Sequence, residues 1–307
     1  MKFTLKNIWG VIKETVEEFS NDRGTKLSAA LSYYTIFSIA PMLFIVISFA
    51  SIFWGHDAVQ GKLFLEIRKL VGDNAAEQIQ QMLASTQLKD NTFLGAAIGI
   101  VVLVFGATGV FAEIQDSINF IWSVKAKPKK GWVKYIVNRV ISFSLVVAMG
   151  FILMVSLVAN ALMEVLSERM SHIFSDSTFY IVYCTNLFFL FFFIMILFAV
   201  IFKVLPDVKI RWKDAFVGAS VTSFLFMIGK FLIGYYLGNT KTSAIYGAAA
   251  SLVIVLLWVY YTSFILYFGA EFTKVYTLRK GFGIRPNDNA VYILKQEQKE
   301  LTRPKEL

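Results

Sequence analysis

Apolar residues come in long unbroken runs along this chain, separated by short segments rich in lysine, arginine and glycine. A helix rises ~1.5 Å per residue and needs ~20 mostly apolar residues to cross the ~30 Å hydrocarbon layer of a bilayer. Six runs meet that length, at roughly 29–54, 92–122, 136–163, 179–204, 215–237 and 244–272. The second exceeds one crossing, so part of it is expected to project from the bilayer or to tilt.

Before the first run, Leu5, Ile8, Trp9, Ile12, Val16 and Phe19 recur at helical spacing with lysine and glutamate opposite them. That pattern predicts a helix in the membrane interface within residues 1–26. Gly24 is placed to end it, which leaves Thr25 or Ser28 to cap the first span. The segment 55–91 is too long for a plain connector. Leu63, Ile67, Leu70 and Val71 share one helical face and Ala75, Ile79, Met82 and Leu83 another, so two short amphipathic helices are expected there. From 281 the chain turns polar, ends in KQEQKELTRPKEL and reads as a mobile tail over 281–307. The expected fold is all-α: a polytopic membrane protein with six transmembrane helices in a domain over 27–280, plus interfacial helices.

Composition supports the membrane assignment, with 57% hydrophobic and only 17% charged residues, against ~25% charged in soluble domains. Basic residues then set the orientation, because basic loops stay cytoplasmic. Five precede the first span, six lie in 123–139, four link the fourth span to the fifth, and eight follow the sixth. The alternate loops hold four, one and one. Both termini are therefore expected in the cytoplasm. The net charge of +9 sits beside spans, where anionic headgroups attract it, so membrane lipids are the expected partners and nucleic acid is not. The first apolar run is too long, and starts too late, for a cleavable signal and is expected to anchor. Cys184 is the only cysteine, so no intrachain disulfide can form.

Polar residues inside the runs are the candidate chemistry. In LSAALSYYTIFSIAP, Leu27 to Pro41, residues Ser28, Ser32 and Thr35 share one side of a helix and Ala29, Tyr33 and Ala40 another, with Tyr34 and Ser38 between. Pro41 frees a backbone carbonyl that a neighbouring helix or a serine can satisfy. Such a helix is central and kinked, its hydroxyls either packing against other helices or lining a cavity. In the second run Gly95, Gly99, Gly106 and Gly109 fall within about 80° on a helical wheel, as a close helix contact would require. Glu113 continues that stripe and Asp116 follows one turn later. Glu113 lies ~13 Å inward of Trp122, where an ionised carboxylate costs several kcal/mol unless paired, hydrated or protonated. Arg139 is its nearest candidate partner by depth, with Asn119 and Asn138 as polar support. Lys230, ~24 Å along the fifth span, either snorkels outward or meets an anionic headgroup or a buried partner. Tyr260, Phe264, Tyr267 and Glu271 form a stripe in the sixth span that ends acidic, while Trp258 shares a face with Gly247. Gly218 is a further small residue suited to helix packing.

Enzyme chemistry finds little to work with. His56 and His172 are the only histidines, and both fall in expected extracytoplasmic loops. The chain carries neither a G-x-S-x-G elbow nor a Walker A sequence. No metal, cofactor or catalytic residue is expected.

Four blocks carry a resemblance: AALSYYTIFSIAP, FGATGVFAEIQDSINFIW (Phe105 to Trp122), LPDVKIRWKDAFVGA (Leu205 to Ala219) and IYGAAASLVIVLLWVYYTSFILYFGAE (Ile245 to Glu271). Together, in this order, they resemble the YihY/BrkB family of bacterial inner-membrane proteins. The resemblance implies six spans with both termini inside, and an envelope role reflected in the label "virulence factor". An older family label, ribonuclease BN, conflicts with the histidine inventory. Movement of lipids or related amphiphiles is a role proposed for some members.

The expected function is passive or ion-coupled transport of an amphiphilic envelope molecule, most plausibly a lipid. A groove between the first, second, fifth and sixth spans would shelter a headgroup, Lys230 would attract an anionic group, and Glu113, Asp116 and Arg139 would form an inner polar site. The alternative is a non-transporting scaffold or envelope-assembly factor that recruits partners through its basic surface and outer amphipathic helices.

Overall fold

The computed structural model describes residues 5–38, 109–127, 177–239, 250–280, 283–288 and 290–295, with single helical positions at 64, 65, 77 and 80. The segments read as outer amphipathic helices and as the third span lie outside the described residues. Six helices are described: α1 (Leu5–Asn21), α2 (24–38), α3 (109–121), α4 (Ser177–Val204), α5 (Trp212–Asn239) and α6 (Ala250–Arg279). Four short strands accompany them: β1 (Val124–Ala126), β2 (Val208–Lys209), β3 (Arg285–Pro286) and β4 (Ala290–Tyr292). Among the described residues, three stretches are long and apolar enough to cross a membrane, Leu187–Val204, Trp212–Ile233 and Val255–Arg279.

Helix α4 is a run of phenylalanine, isoleucine and leucine that ends where Pro206 disfavours helical backbone in the residue before it. Lys203 in its last turn donates Nζ to the Ile210 carbonyl at 2.6 Å. The chain reverses through Leu205, Val208 and Ile210, all buried. Asp214 then occupies the first turn of α5, where a carboxylate meets the positive end of the helix dipole. Arg211 holds it with two bonds, Nε to Oδ2 at 2.9 Å and Nη2 to Oδ1 at 3.0 Å.

An aromatic ladder joins the three long helices. Phe198 of α4 meets Phe226 of α5 edge-on at 6.4 Å between centroids, and Phe226 meets Trp258 of α6 at 5.8 Å. Helices α5 and α6 run antiparallel and approach closely. A Cβ on Gly218 would strike the Thr273 side chain, one on Gly269 would strike Thr222, and one on Gly229 would strike the ring of Tyr261.

Helix α1 runs antiparallel along the last turns of α6. Val11 packs with Phe272, Val275 and Tyr276, and the Phe19 ring meets Phe264 at 4.8 Å and Phe268 at 5.7 Å. Arg279 donates to Glu14 and to the Gly10 carbonyl. One apolar face of α1 is thereby covered by protein, while Trp9, 71% exposed, Ile12 and Val16 stay open on another.

Two local expectations change. Gly24 does not end α1: the turn is made by Asp22 and Arg23, with Arg23 at φ 54°, and Gly24 already belongs to α2. Its glycine character answers to Phe19, whose ring lies where a Cβ would go. Ser28 is not a cap, because its hydroxyl donates to the Gly24 carbonyl within α2 at 2.7 Å.

The first part of the segment read as a mobile tail instead carries β3 and β4, which also departs from a purely helical fold, while 296–307 lie outside the described residues. Antiparallel pairing sets Val124 opposite Tyr292 and Ala126 opposite Ala290 in one two-stranded sheet, and Val208 opposite Pro286 in the other. Main-chain bonds from Asn287 N to Asp207 O and from Ile293 N to Ser123 O, both 2.9 Å, extend the stitching. These strands tie 284–293 to the C-terminal ends of α3 and α4, a long-range pairing that local polarity does not reveal.

Candidate functional site

Where α1, the last turns of α6 and the segment after β4 meet, charges collect. Glu18 lies in the last turn of α1 and Asp22 four residues on, in the turn that follows it, while Glu271 and Lys274 lie three residues apart on α6, so each pair points to one side. The Lys274 ammonium reaches Glu271 Oε1 at 2.8 Å, Glu18 Oε2 at 3.1 Å and Asp22 Oδ2 at 3.4 Å. Lys295 enters from beyond β4 and meets Asp22 Oδ1 at 2.5 Å, its nitrogen also lying 4.4 Å from the Phe120 ring centroid. Burial pulls the Lys295 ammonium below the usual lysine range, and Asp22 offsets only part of that. Glu271 is 0% exposed, and its Oε2 has no hydrogen-bond partner among the described residues.

Ligand oxygens of Glu18, Asp22 and Glu271 lie within 4.8 Å of one another. The spacing could suit a metal ion, but the Lys274 ammonium already bonds all three carboxylates. Three carboxylates against two ammoniums leave one negative charge in excess.

A second polar group lies along α3. Glu113 is half-buried and accepts from the Ser117 hydroxyl at 3.2 Å. The Tyr267 hydroxyl, fully buried on α6, faces Ser117 and feels the charges of Glu113 and Asp116. It approaches Ser117 without completing a hydrogen bond. Asn119 turns to the loop after α4: its Nδ2 donates to Asp207 Oδ2 at 2.9 Å, and the Asp207 amide donates back to its Oδ1 at 2.8 Å. The Trp122 indole donates to the Ala270 carbonyl at 2.9 Å, fixing α3 to α6 one residue before Glu271.

The remaining expected residues scatter. Ser32 and Ser38 of α2 are buried, and Ser32 donates to the Ser28 carbonyl at 2.7 Å. Tyr33 and Tyr34 project outward with Phe37, the Tyr33 and Phe37 rings 5.0 Å apart. Asp116 is exposed and Tyr260 partly so. Lys230 is half-buried in α5, with no hydrogen bond or ion pair among the described residues. Gly218 makes the close contact expected of it, whereas among the described residues no atom stands within 4 Å of a Cβ built on Gly109. Pro41, Arg139, Gly95, Gly99, Gly106 and Gly247 lie outside the described residues.

Sequence reasoning found Glu271 but missed Lys274, Glu18, Asp22, Lys295 and Asp207. Three of these carried a local signal. Lys274 follows Glu271 at helical spacing, and Asp22 follows Glu18 by four residues in the helix read as amphipathic. Lys295 joins only through strand pairing and carried none.

Comparison with known proteins agrees with this membrane architecture. The chain is 27% identical over 267 residues to a UPF0761 membrane protein of Aeromonas salmonicida (strain A449), covering 83% of this chain and 84% of that one. It is 27% identical over 305 residues to a UPF0761 membrane protein of Vibrio vulnificus (strain YJ016), covering 95% and 90%. A UPF0761 membrane protein of Haemophilus influenzae (strain 86-028NP) is 25% identical over 261 residues, covering 83% and 90%. No solved structure matches. The family profile described as Virulence factor BrkB matches residues 15–291, from the middle of α1 to β4, and the chain therefore belongs to the BrkB family of membrane proteins.

Proposed function

We propose that this protein is a transporter of the bacterial inner membrane that moves a lipid or related amphiphile, passively or coupled to an ion. In this reading six spans cross the bilayer, both termini lie in the cytoplasm, and the protein performs no catalysis and binds no nucleic acid. One observation carries it: Lys230, the second of the two lysines of α5, which lies far along the apolar run from Lys213 in the first turn. Lys230 lies about 27 Å along the helix from Trp212, half-buried beside the Gly229–Tyr261 contact and without an acidic partner among the described residues. Lys230 lies three residues before the end of the apolar stretch Trp212–Ile233, so its cost is below the about 2.5–3.5 kcal/mol of a lysine at the centre of a span. An anionic headgroup supplies the missing counter-charge, and a route for headgroups between spans gives the lysine a purpose. Exposed Tyr33, Tyr34 and Phe37 on α2 suit contact with acyl chains.

The test is translocation of a fluorescent anionic phospholipid in proteoliposomes containing the full chain, Lys230→Met or Lys230→Arg. Transport by the wild type that falls at least about tenfold in Lys230→Met, a change of about 1.4 kcal/mol in the barrier, and returns in Lys230→Arg supports the proposal. Movement no faster than in protein-free vesicles argues instead for the scaffold role. The exposed Trp9, Ile12 and Val16 face of α1 favours that alternative, since it lies open for a partner.

A further inference from the structure

We infer that the cluster of Glu18, Asp22, Glu271, Lys274 and Lys295 is a binding site for a single proton, and that this proton holds α1 and the segment after β4 against α6. The inference is independent of the transport proposal. It rests on charge count, burial and an unpartnered atom.

Lys274 bonds Glu271 from its own helix, Glu18 and Asp22 share that ammonium with carboxylate oxygens within 4.8 Å of those of Glu271, and Lys295, from the segment after β4, joins the cluster through Asp22. Glu113 and Asp116 of α3 act on Tyr267, one turn away. Three carboxylates meet two ammoniums, and both Glu271 and Asp22 are nearly sealed from solvent. An excess charge in such a place is costly, and one added proton makes the cluster neutral. The place for it is also visible. Lys274 bonds Glu271 Oε1 and one oxygen each of Glu18 and Asp22, whereas Glu271 Oε2 is buried and, among the described residues, unbonded. A metal ion is the poorer occupant, because the Lys274 ammonium already sits among the three carboxylates.

Coupling follows from where the acids come from. Two of the three come from α1 and the turn directly after it, so undocking this segment leaves Glu271 with Lys274 alone and removes the need for the proton. The docked arrangement therefore binds more protons than the undocked one, and docking weakens as pH rises.

Hydrogen exchange of the full chain in lipid nanodiscs tests this. The readout is protection of α1 amides between about pH 5.5 and about pH 8.5, corrected for intrinsic exchange, where one linked proton changes protection by at most tenfold per pH unit. Wild-type protection is expected to fall at least about tenfold across that range. Glu271→Gln, neutral at every pH, is expected to keep α1 protected throughout. Glu18→Gln, on the half-exposed side, balances the cluster without a proton and is also expected to flatten the profile, which preserves the test should the first variant fail to fold. A flat wild-type profile, or a Glu18→Gln variant with the wild-type slope, overturns the inference.

Discussion

Gly218 of α5 lies directly beneath Thr273 of α6, and one turn along the roles reverse, with Thr222 of α5 over Gly269 of α6. Each threonine hydroxyl donates to the carbonyl of the glycine four residues before it on its own helix, Thr222 to Gly218 at 2.8 Å and Thr273 to Gly269 at 2.7 Å. The same G-x-x-x-T unit thus appears on both antiparallel helices and closes on itself. Back-bonding satisfies the hydroxyls where lipid or helix could not, and the glycines let the backbones approach.

A methyl group on Gly218 would stand 2.9 Å from Thr273 Cβ and closer still to its hydroxyl. Gly218→Ala is expected to destabilise the protein by about 1–3 kcal/mol through overpacking. Thr273→Ala removes most of the colliding atoms, so the double variant is expected to be more stable than the sum of the single changes predicts. Unfolding titrations in mixed micelles measure all four corners of that cycle, and strict additivity counts against the contact.

Asn119 and Asp207 make a second reciprocal pair, side chain to carboxylate and amide to side chain. Asn119→Ala leaves the Asp207 carboxylate with only Gln115 at 3.5 Å and its amide without a side-chain acceptor. Bonds to charged groups contribute about 1.5–3 kcal/mol, and a loss of that size is expected. Asp207→Ala removes only the carboxylate bond, because its main-chain amide still donates to Asn119 Oδ1, so it is expected to cost less, and adding it to Asn119→Ala adds little further cost. A double variant that loses the full sum shows that the pair is not the stabilising unit.

The Lys209–Asp288 bridge between β2 and the turn before β4 is the contrasting case. Its bond is 2.6 Å long, yet its side chains are 59% and 89% exposed, so water and salt screen it. The hydrogen bond from Lys209, with its charge, holds the Asp288 carboxyl below the usual aspartate range. Any stabilisation is therefore present above the ordinary aspartate pKa and disappears as pH falls through the lowered value. Asp288→Asn is expected to leave thermal stability at neutral pH and moderate salt unchanged, as a melting curve would record. A clear loss would show that the bridge, rather than strand pairing, keeps β3 in place.

Much of the framework was legible from the runs of apolar residues, because a helix that must satisfy its own backbone in lipid needs length and apolarity before anything else. Helices α4 and α5 follow two of those runs to within three residues, and α6 follows the sixth but continues seven residues past it, to Arg279. The site was less legible. Tracing the α6 stripe one residue per turn stops at Glu271, and Lys274 follows only when both three- and four-residue neighbours are counted. Gly218 was read as a packing residue, but its partner Thr273 emerges only once α5 and α6 are known to run antiparallel. Gly24 was taken for a helix stop because glycine favours left-handed backbone, whereas the left-handed residue is Arg23. Strands β3 and β4 pair with segments far away in sequence, so Lys295 had no local pattern to betray it.

Lys274 is the residue on which the charged cluster depends. Removing one member of a buried ion pair costs about 3–5 kcal/mol, because its partner is left buried and uncompensated. Lys274 serves three carboxylates, of which Asp22 and Glu271 are nearly inaccessible to water. Lys274→Met is therefore expected to be among the most damaging single substitutions in the chain, lowering the yield of monodisperse protein and releasing α1 to proteolysis. Glu271→Gln is expected to be mild by comparison, since it removes the excess negative charge and keeps an oxygen for the ammonium to bond. Adding Glu271→Gln to Lys274→Met is expected to recover part of the loss, because one of the stranded carboxylates is then gone. Limited proteolysis of the N-terminal helix in the three variants separates these cases. Equal cleavage in Lys274→Met and wild type would mean that apolar packing of Val11 and Phe19 holds α1 without help from the charges.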